Sequence, residues 1–438
     1  MSVAERGRTA GLRAITRLAG SDILDRTRMR GRVERALYRG SKNGFRAAVA
    51  AGRTFKAASK LTGPARQGKA QGRGLFDLTP DDEQTMLCEA IRDFAGAAVR
   101  PAAMDADAAA ETPAELLEQA AELGLGMLGI PEELGGVMAE RSAITAVLAA
   151  EALAHGDMGI AFAALAPAAV ASAIGLWGDA AQQATYLPAF SGDSAPAAAL
   201  ALLEPRAAFD PLTLETKARR EGEDWLLSGT KSLVPRAASC ELFVIAADAA
   251  ECGPCLFVVE AGARRLTSEA EPAMGLRAAS TSRLVLEDLR VPAGAMLGDG
   301  DSATYAECVQ RARIAWAALA NGTSKAVLDY VTPYVKEREA FGEPIANRQA
   351  VAFCVADIAI ELEGMRLTTW RAASRADQGK DFARETALAR SLCSRHGMSI
   401  GADGLQLLGG HGYVKDHPVE RWYRDLRAAG IMEGALLV

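Results

Sequence analysis

The chain of 438 residues has little histidine, cysteine or aromatic content. Its four histidines are His155, His396, His411 and His417. None stands at ligand spacing from a neighbouring Cys, Asp or Glu, so no dedicated metal site is expected. Seven unevenly spaced cysteines in so long a chain do not form a disulfide framework and fit a reducing compartment. No secretory signal is expected, because the charged N-terminus has no compact apolar stretch behind it. The longest apolar run, Ile160 to Trp177, is alanine-rich and holds Pro167 and Ser172. A membrane span draws its transfer energy from Leu, Ile, Val and Phe, so this run reads as a buried helix or helix pair.

Acidic residues are scarce at one end. Residues 1–74 hold 18 Lys and Arg against 4 Asp and Glu, which leaves 31 against 51 for the remainder. A basic extension of +14 thus precedes an acidic body of −20. Such an arm suits anionic lipid, nucleic acid or an acidic protein surface, and equally a solvated, partly helical extension. A mitochondrial transit peptide ranks lower, because the arm is long and poor in Ser. A cytoplasmic location, peripheral at an anionic membrane, is expected ahead of the mitochondrial matrix, with no nucleic-acid partner.

The body reads as three segments. Thr79-Pro80-Asp81-Asp82 is a helix start with a Thr cap, Pro at the first helical position and acids against the dipole. Leu87, Ile91, Phe94 and Ala98 then form one apolar face. Thr112-Pro113-Ala114-Glu115 has the form of a capping box. Gly and Pro punctuate Leu123 to Gly136, and Ala-rich helical sequence runs on to about Pro196. Short β-type runs follow: Thr216–Arg220 and Trp225–Leu233 around a Glu-Gly-Glu-Asp turn, then Glu241–Ala247, Leu256–Glu260 and Leu284–Val291. From about Thr304 the helical period returns, giving four or so long helices in an antiparallel bundle. The expected fold is mostly α with a central β domain. It divides into a basic extension (1–74), a helical domain (75–198), a small β-barrel-like domain (199–300) and a four-helix bundle (301–438).

One motif is a decoy. Cys252-Gly253-Pro254-Cys255 has the spacing of a thioredoxin redox centre, which requires a helix after it to lower the thiol pKa. Leu256-Phe257-Val258-Val259 follows instead, so a hairpin turn is expected.

The order helix, strand, helix and the local motifs from Leu78 onward resemble the acyl-CoA dehydrogenase family. Leu123 to Gly136 resembles the family's N-domain loop. Leu203-Glu204-Pro205 with Asp210, and Leu286 to Pro292, resemble its middle-domain motifs. Arg338-Glu339-Ala340-Phe341-Gly342-Glu343-Pro344-Ile345 with Gln349, and Gln406-Leu407-Leu408-Gly409-Gly410-His411-Gly412-Tyr413, resemble two cofactor-binding stretches. Pro418-Val419-Glu420-Arg421, Arg424-Asp425 and Met432-Glu433-Gly434 follow in register.

The resemblance implies a flavoenzyme that binds FAD and oxidises an acyl-CoA thioester between its α and β carbons. It makes Glu433 the proton-abstracting base, with its own N–H and a flavin hydroxyl holding the thioester oxygen. Arg338, Phe341, Gln349, Gln406, Gly409 and Gly410 would contact the flavin pyrophosphate and adenosine across a subunit interface. Forked guanidinium donors and close backbone approach at glycine suit that role. Arg338 could instead pair with Glu337, Glu339 or Glu343. Arg313 matches an arginine lining the substrate pocket, and Gln310 stands for the family's aspartate. Leu203, Leu233 and Pro235 replace residues that hydrogen-bond or cover the flavin ring, and Phe209 replaces a small Ser on the acyl-CoA path. Three readings stay open: a dehydrogenase passing electrons to an electron-transferring flavoprotein, an oxidase, or a flavin-impaired partner subunit of a mixed oligomer. A dimer of dimers is the expected assembly.

Overall fold

The structure, a computed structural model, describes residues 80–128, 130–136, 141–191 and 195–434. The basic arm and Thr79 lie outside them. The first helix of the described residues, α1 (Asp82–Phe94), is capped by Asp81, not by the expected Thr79. The Asp81 carboxylate accepts the Gln84 N–H at 2.8 Å, and the Gln84 side chain accepts the Asp81 N–H at 3.0 Å. This reciprocal box satisfies two helix-end donors, and it needs the extended backbone that Asp81 has. A π-turn (Ala95–Val99) leads into α2 (Arg100–Ala109). The second expected capping box does not form: Pro113 occupies the cap of α3 (Ala114–Glu122) with no side-chain bond. The buried Thr112 hydroxyl instead donates 2.7 Å to the Ala278 carbonyl, tying the helical segment to the β segment.

Then come α4 (Ala143–Ala154), α5 (Met158–Trp177) and α6 (Ala180–Phe190). The apolar run is one helix, α5, capped by the Asp157 carboxylate on Ile160 N. It is long and apolar enough to cross a membrane, yet 72% of that stretch is buried inside the protein. It is a core helix.

The sheet contains β1 (Ala198–Ala201), β2 (Lys217–Glu221), β3 (Asp224–Val234), β4 (Leu242–Ala249), β5 (Gly253–Glu260), β6 (Leu266–Ala270), β7 (Ser282–Val291) and β8 (Met296–Leu297). The order is β6-β7-β3-β2-β4-β5-β8. β1 and β2 lie end to end along one edge of β4, both parallel to it. Period-two alternation splits β4 between two cores. Leu242, Val244 and Ala246 join the helical core that holds α5. Phe243, Ile245 and Ala247 face the sheet's own core with Trp225 and Phe257. β1 and β6 escape a sequence reading because Ala-Ala-Leu-Ala and Leu-Thr-Ser-Glu-Ala carry little β-branched or aromatic signal.

The last of the described residues form three long helices, α7 (Ser302–Glu337), α8 (Gln349–Asp377) and α9 (Ala383–Leu408), and a short fourth, α10 (Val419–Leu426). A two-stranded ribbon, β9 (Glu339–Ala340) with β10 (Glu343–Pro344), joins α7 to α8. Its tip residues Phe341 and Gly342 have φ of 57° and 85°, as a tight hairpin turn demands, and Phe341 is 94% exposed.

Candidate active site

Glu433 is placed by the chain that leaves α10. The α10 helix is anchored in the interior by its own charged side chains. Arg421 pairs with Asp157 at 2.8 Å, both buried. Arg424 grips Asp107 with two bonds of 2.9 Å. The Asp425 carboxylate accepts the Leu276 N–H at 2.6 Å. These contacts join α10 to α2, the start of α5 and the segment before β7. A short 3-10 turn (Arg427–Gly430) then carries the chain to Met432 and Glu433.

The Glu433 side chain is buried, with 7% of the residue exposed. Glu433 and Gly434 both have positive φ, at 53° and 106°. Arg313 on α7 donates to the Glu433 carbonyl at 3.1 Å, and Arg390 on α9 donates to the Gly434 carbonyl. Two cations on two helices thus hold the left-handed backbone that presents the carboxyl. Oε2 of Glu433 and Nη1 of Arg390 are buried without a partner. Burial raises the Glu433 pKa to about 7 against the opposing pull of Arg390, Arg313 and a hydrogen bond from Trp316. Burial also lowers that of Arg390, to about 10.

Glu433 faces a cavity of about 100 Å³ between α5 and α7. Phe162 and Trp316 line it with ring centroids 4.7 Å apart. Leu203, Leu233, Pro235 and Ser232 form its opposite wall, so the residues expected beside a flavin ring and the expected base do meet. The Ser232 and Leu233 donors of that wall are taken. Ser232 N donates to the Leu203 carbonyl at 2.9 Å. The Ser232 hydroxyl and Leu233 N–H both donate 2.8 Å to Glu271, which Arg283 holds at 2.8 Å. Pro235 has no N–H to offer. Phe209, Gln310 and Arg313 do not line this cavity. Phe209 is buried under the Arg206 guanidinium, 5.6 Å from its ring centre, and Arg313 acts on the Glu433 backbone.

A second, open groove of about 610 Å³ gathers Arg338, Phe341, Gln406, Gly409 and Gly410, together with Arg348 and His411. Gln349 is not among its lining residues and opens α8 beside them. The acidic neighbours do not take Arg338: Glu343 pairs with Arg348 at 3.3 Å, and among the described residues no ion pair holds the Arg338 guanidinium. The added Cβ of any residue at 409 or 410 would meet open space. A free guanidinium, an amide and exposed backbone in one groove suit a phosphate-bearing ligand.

Sequence reasoning misses Arg390, Trp316 and Glu271. Arg390 and Trp316 carry a helical spacing only, and Glu271 lies in an irregular stretch; no local motif marks them. As to the decoy, Gly253 opens β5 and Cys255 pairs opposite Ala247, so the hairpin reading holds. The described residues contain no cluster suited to a metal ion.

Three family models match in chain order: the acyl-CoA dehydrogenase N-terminal domain over residues 81–193, the middle domain over 199–289 and the C-terminal domain over 302–436. The chain is 34% identical over 364 residues to a bovine mitochondrial short-chain specific acyl-CoA dehydrogenase, covering 81% of this chain and 87% of the relative. It superposes on butyryl-CoA dehydrogenase from Megasphaera elsdenii with a TM-score of 0.77 at 28% identity, covering 82% and 96% of the two chains. A chain from a structure described as the electron transferring flavoprotein of Acidaminococcus fermentans gives 0.76 at 28% identity, with the same coverage. With all three domains matched in order and a relative 34% identical over most of both chains, the chain belongs to the acyl-CoA dehydrogenase family.

Proposed function

We propose that this chain uses FAD to oxidise the Cα–Cβ bond of an acyl-CoA thioester, with Glu433 removing the α proton. The observation that carries this is the buried Glu433 carboxyl, with one oxygen unpartnered, facing an apolar cavity. A carboxyl whose pKa is about 7 is near half-ionised at neutral pH and is a stronger base than a surface glutamate. Arg313 and Arg390 fix the base through the carbonyls of Glu433 and Gly434. Their charge also keeps its ionised form accessible. Phe162, Trp316 and the leucine wall exclude water from the proton being transferred.

FAD, when bound, accepts the hydride from the β carbon. Arg338 and Gln406 would hold its pyrophosphate and adenosine, with Gly409 and Gly410 offering backbone at close range. The free Arg338 guanidinium fits that use. The ring wall would hold the flavin by shape and stacking. An electron-transferring flavoprotein is the proposed electron acceptor, supported by the similar chain from Acidaminococcus. A second copy of the chain is proposed to cover α8, where Phe353, Ile360 and Leu367 stand exposed at seven-residue intervals. The basic arm is proposed to bring the protein to anionic membrane. Liposome sedimentation of full-length and arm-deleted protein tests this, and equal binding by both would end it.

The Ser232 and Leu233 donors spent on Glu271, and the missing N–H of Pro235, favour a second reading, a subunit that lends its groove or base to a partner chain. One experiment separates the two. The purified protein is given FAD and then a panel of acyl-CoA thioesters while its visible spectrum is recorded. A flavin band that bleaches with a thioester, and that E433Q keeps but does not bleach, supports the first reading. A protein that stays colourless with FAD supports the second.

A further inference from the structure

Two thiols meet at the tip of the β4–β5 hairpin, outside the site described above. Cys252 closes the turn, its N–H donating 3.2 Å to the Ala249 carbonyl. Cys255 is the third residue of β5, opposite Ala247. Between them Gly253 has φ of 78°, a left-handed conformation that glycine adopts without strain. That turn brings the two Sγ atoms to 3.1 Å, and the Cys255 thiol also donates 3.3 Å to the Gly253 carbonyl. No other two cysteines among the described residues are joined in this way. Cys255 is buried and Cys252 is half-exposed, so an oxidant in solution reaches Cys252 first.

The arrangement differs from an oxidoreductase centre at the decisive point. A strand follows the second cysteine, where such a centre has the helix that lowers the thiol pKa. Burial and the adjacent thiol push the Cys255 pKa up to about 12. The pair is therefore ill-suited to attacking the disulfides of other proteins. Its contact geometry instead suits closure upon itself.

We propose that Cys252 and Cys255 are a modification site that forms an intramolecular disulfide with a low-molecular-weight disulfide as oxidant. The Cys252 thiolate attacks one sulfur of the oxidant, whose S–S bond breaks and releases one small thiolate. The Cys255 thiol loses its proton to solvent and attacks the Cys252 sulfur. The mixed S–S bond breaks, and a second small thiolate leaves. The two protein thiols lose two electrons and two protons, and one small disulfide becomes two small thiols. Because the second attack needs the Cys255 thiolate, its rate rises with pH.

Cys252 lies against the turn that starts α7. A Cβ on Gly300 would sit 3.3 Å from its Sγ, and Asp301 caps the helix one residue later. The bond would therefore set the packing of a loop at the head of the helix that carries Arg313 and Trp316.

The test uses the full-length protein, reduced, freed of reductant and incubated with oxidised glutathione at pH 7.5 and 8.5. After acid quench, intact mass and non-reducing peptide maps are recorded. The expected product is lighter by two hydrogens, with the bond mapped to Cys252 and Cys255 and formed faster at the higher pH. C255S stops at a glutathione adduct on Cys252, and C252S forms no internal bond. The proposal is overturned if the unaltered chain keeps both thiols, or if a glutathione adduct persists on Cys252 without closure.

Discussion

Replacing Glu433 with glutamine keeps the size of the side chain and removes its ability to ionise. The consequence for stability has the opposite sign from the consequence for activity. In the unfolded chain the carboxyl titrates near 4.5, and in the folded protein burial raises this to about 7. A raised folded pKa means that the native state binds the proton more tightly. The stability it brings is complete below the unfolded value and is lost as pH rises through the folded one. The gap of roughly 2.5 units corresponds to about 3 kcal/mol at pH 8.5 and to about 1 kcal/mol at pH 5. The glutamine variant does not incur that loss. With an unfolding entropy of about 0.9 kcal/mol/K for a chain this long, E433Q should melt about 3 °C above the parent at pH 8.5 and about 1 °C above it at pH 5. The assay is scanning calorimetry on both proteins with matched flavin content. Turnover with acyl-CoA should fall by about 10²- to 10⁴-fold. An advantage that is the same at both pH values, or a variant less stable at pH 8.5, would refute the claim that the ionised base is buried at a cost.

Other expectations rest on single contacts. R390Q removes the larger of two charges that favour ionised Glu433, so the acid limb of the rate profile should move up by about one pH unit or more, with R390K restoring part of it. Gly434→Ala places a Cβ 2.6 Å from Pro211 and 2.9 Å from the Arg313 guanidinium at a φ of 106°. It should cost about 1–3 kcal/mol in urea melts and lower turnover by displacing Glu433. D107N leaves Arg424 with half of its buried partnership and should cost about 3 kcal/mol in the same melts.

How far the sequence is legible depends on where each interaction is formed. The long helices and the alternating strands announce themselves through periodicity, because one face of each is buried. Glu433, Arg338 and the Gly409-Gly410 pair are readable through a resemblance carried by short runs of adjacent residues. Helices do start at Asp82 and Ala114 as expected, but the caps expected there fail by the same rule. A Thr three residues before an acid or amide scores as a cap whether its hydroxyl turns to its own helix or, like Thr112, to a carbonyl 166 residues away. Arg390 and Glu271 illustrate the limit from the other side. Their work is done across 44 and 38 residues of chain, and no local pattern reports which acceptor or donor the fold will bring to them.

The ring wall shows why departures from a family pattern need the structure before they are read as damage. Taken one at a time, Leu203, Leu233 and Pro235 are lost donors. In the fold, the Ser232 and Leu233 donors on that wall are committed elsewhere. Glu271 accepts from the Ser232 hydroxyl and the Leu233 N–H, and it is itself held by Arg283. Leu233 has a φ of 51°, a conformation that costs a non-glycine residue about 1 kcal/mol or more, and the Glu271 bond is what keeps it there. The wall is thus a largely apolar surface whose Ser232 hydroxyl and Leu233 N–H are committed to Glu271. Glu271→Ala separates these descriptions. It leaves two donors without an acceptor and should cost about 2–4 kcal/mol in denaturant melts. It also frees the Leu233 N–H, so a flavin ring seated against that wall should gain a donor and bind more tightly in fluorescence titration with FAD. Unchanged stability would show that Glu271 does not hold the wall. Lower stability with unchanged flavin affinity would show that the ring, where it binds, rests on shape alone.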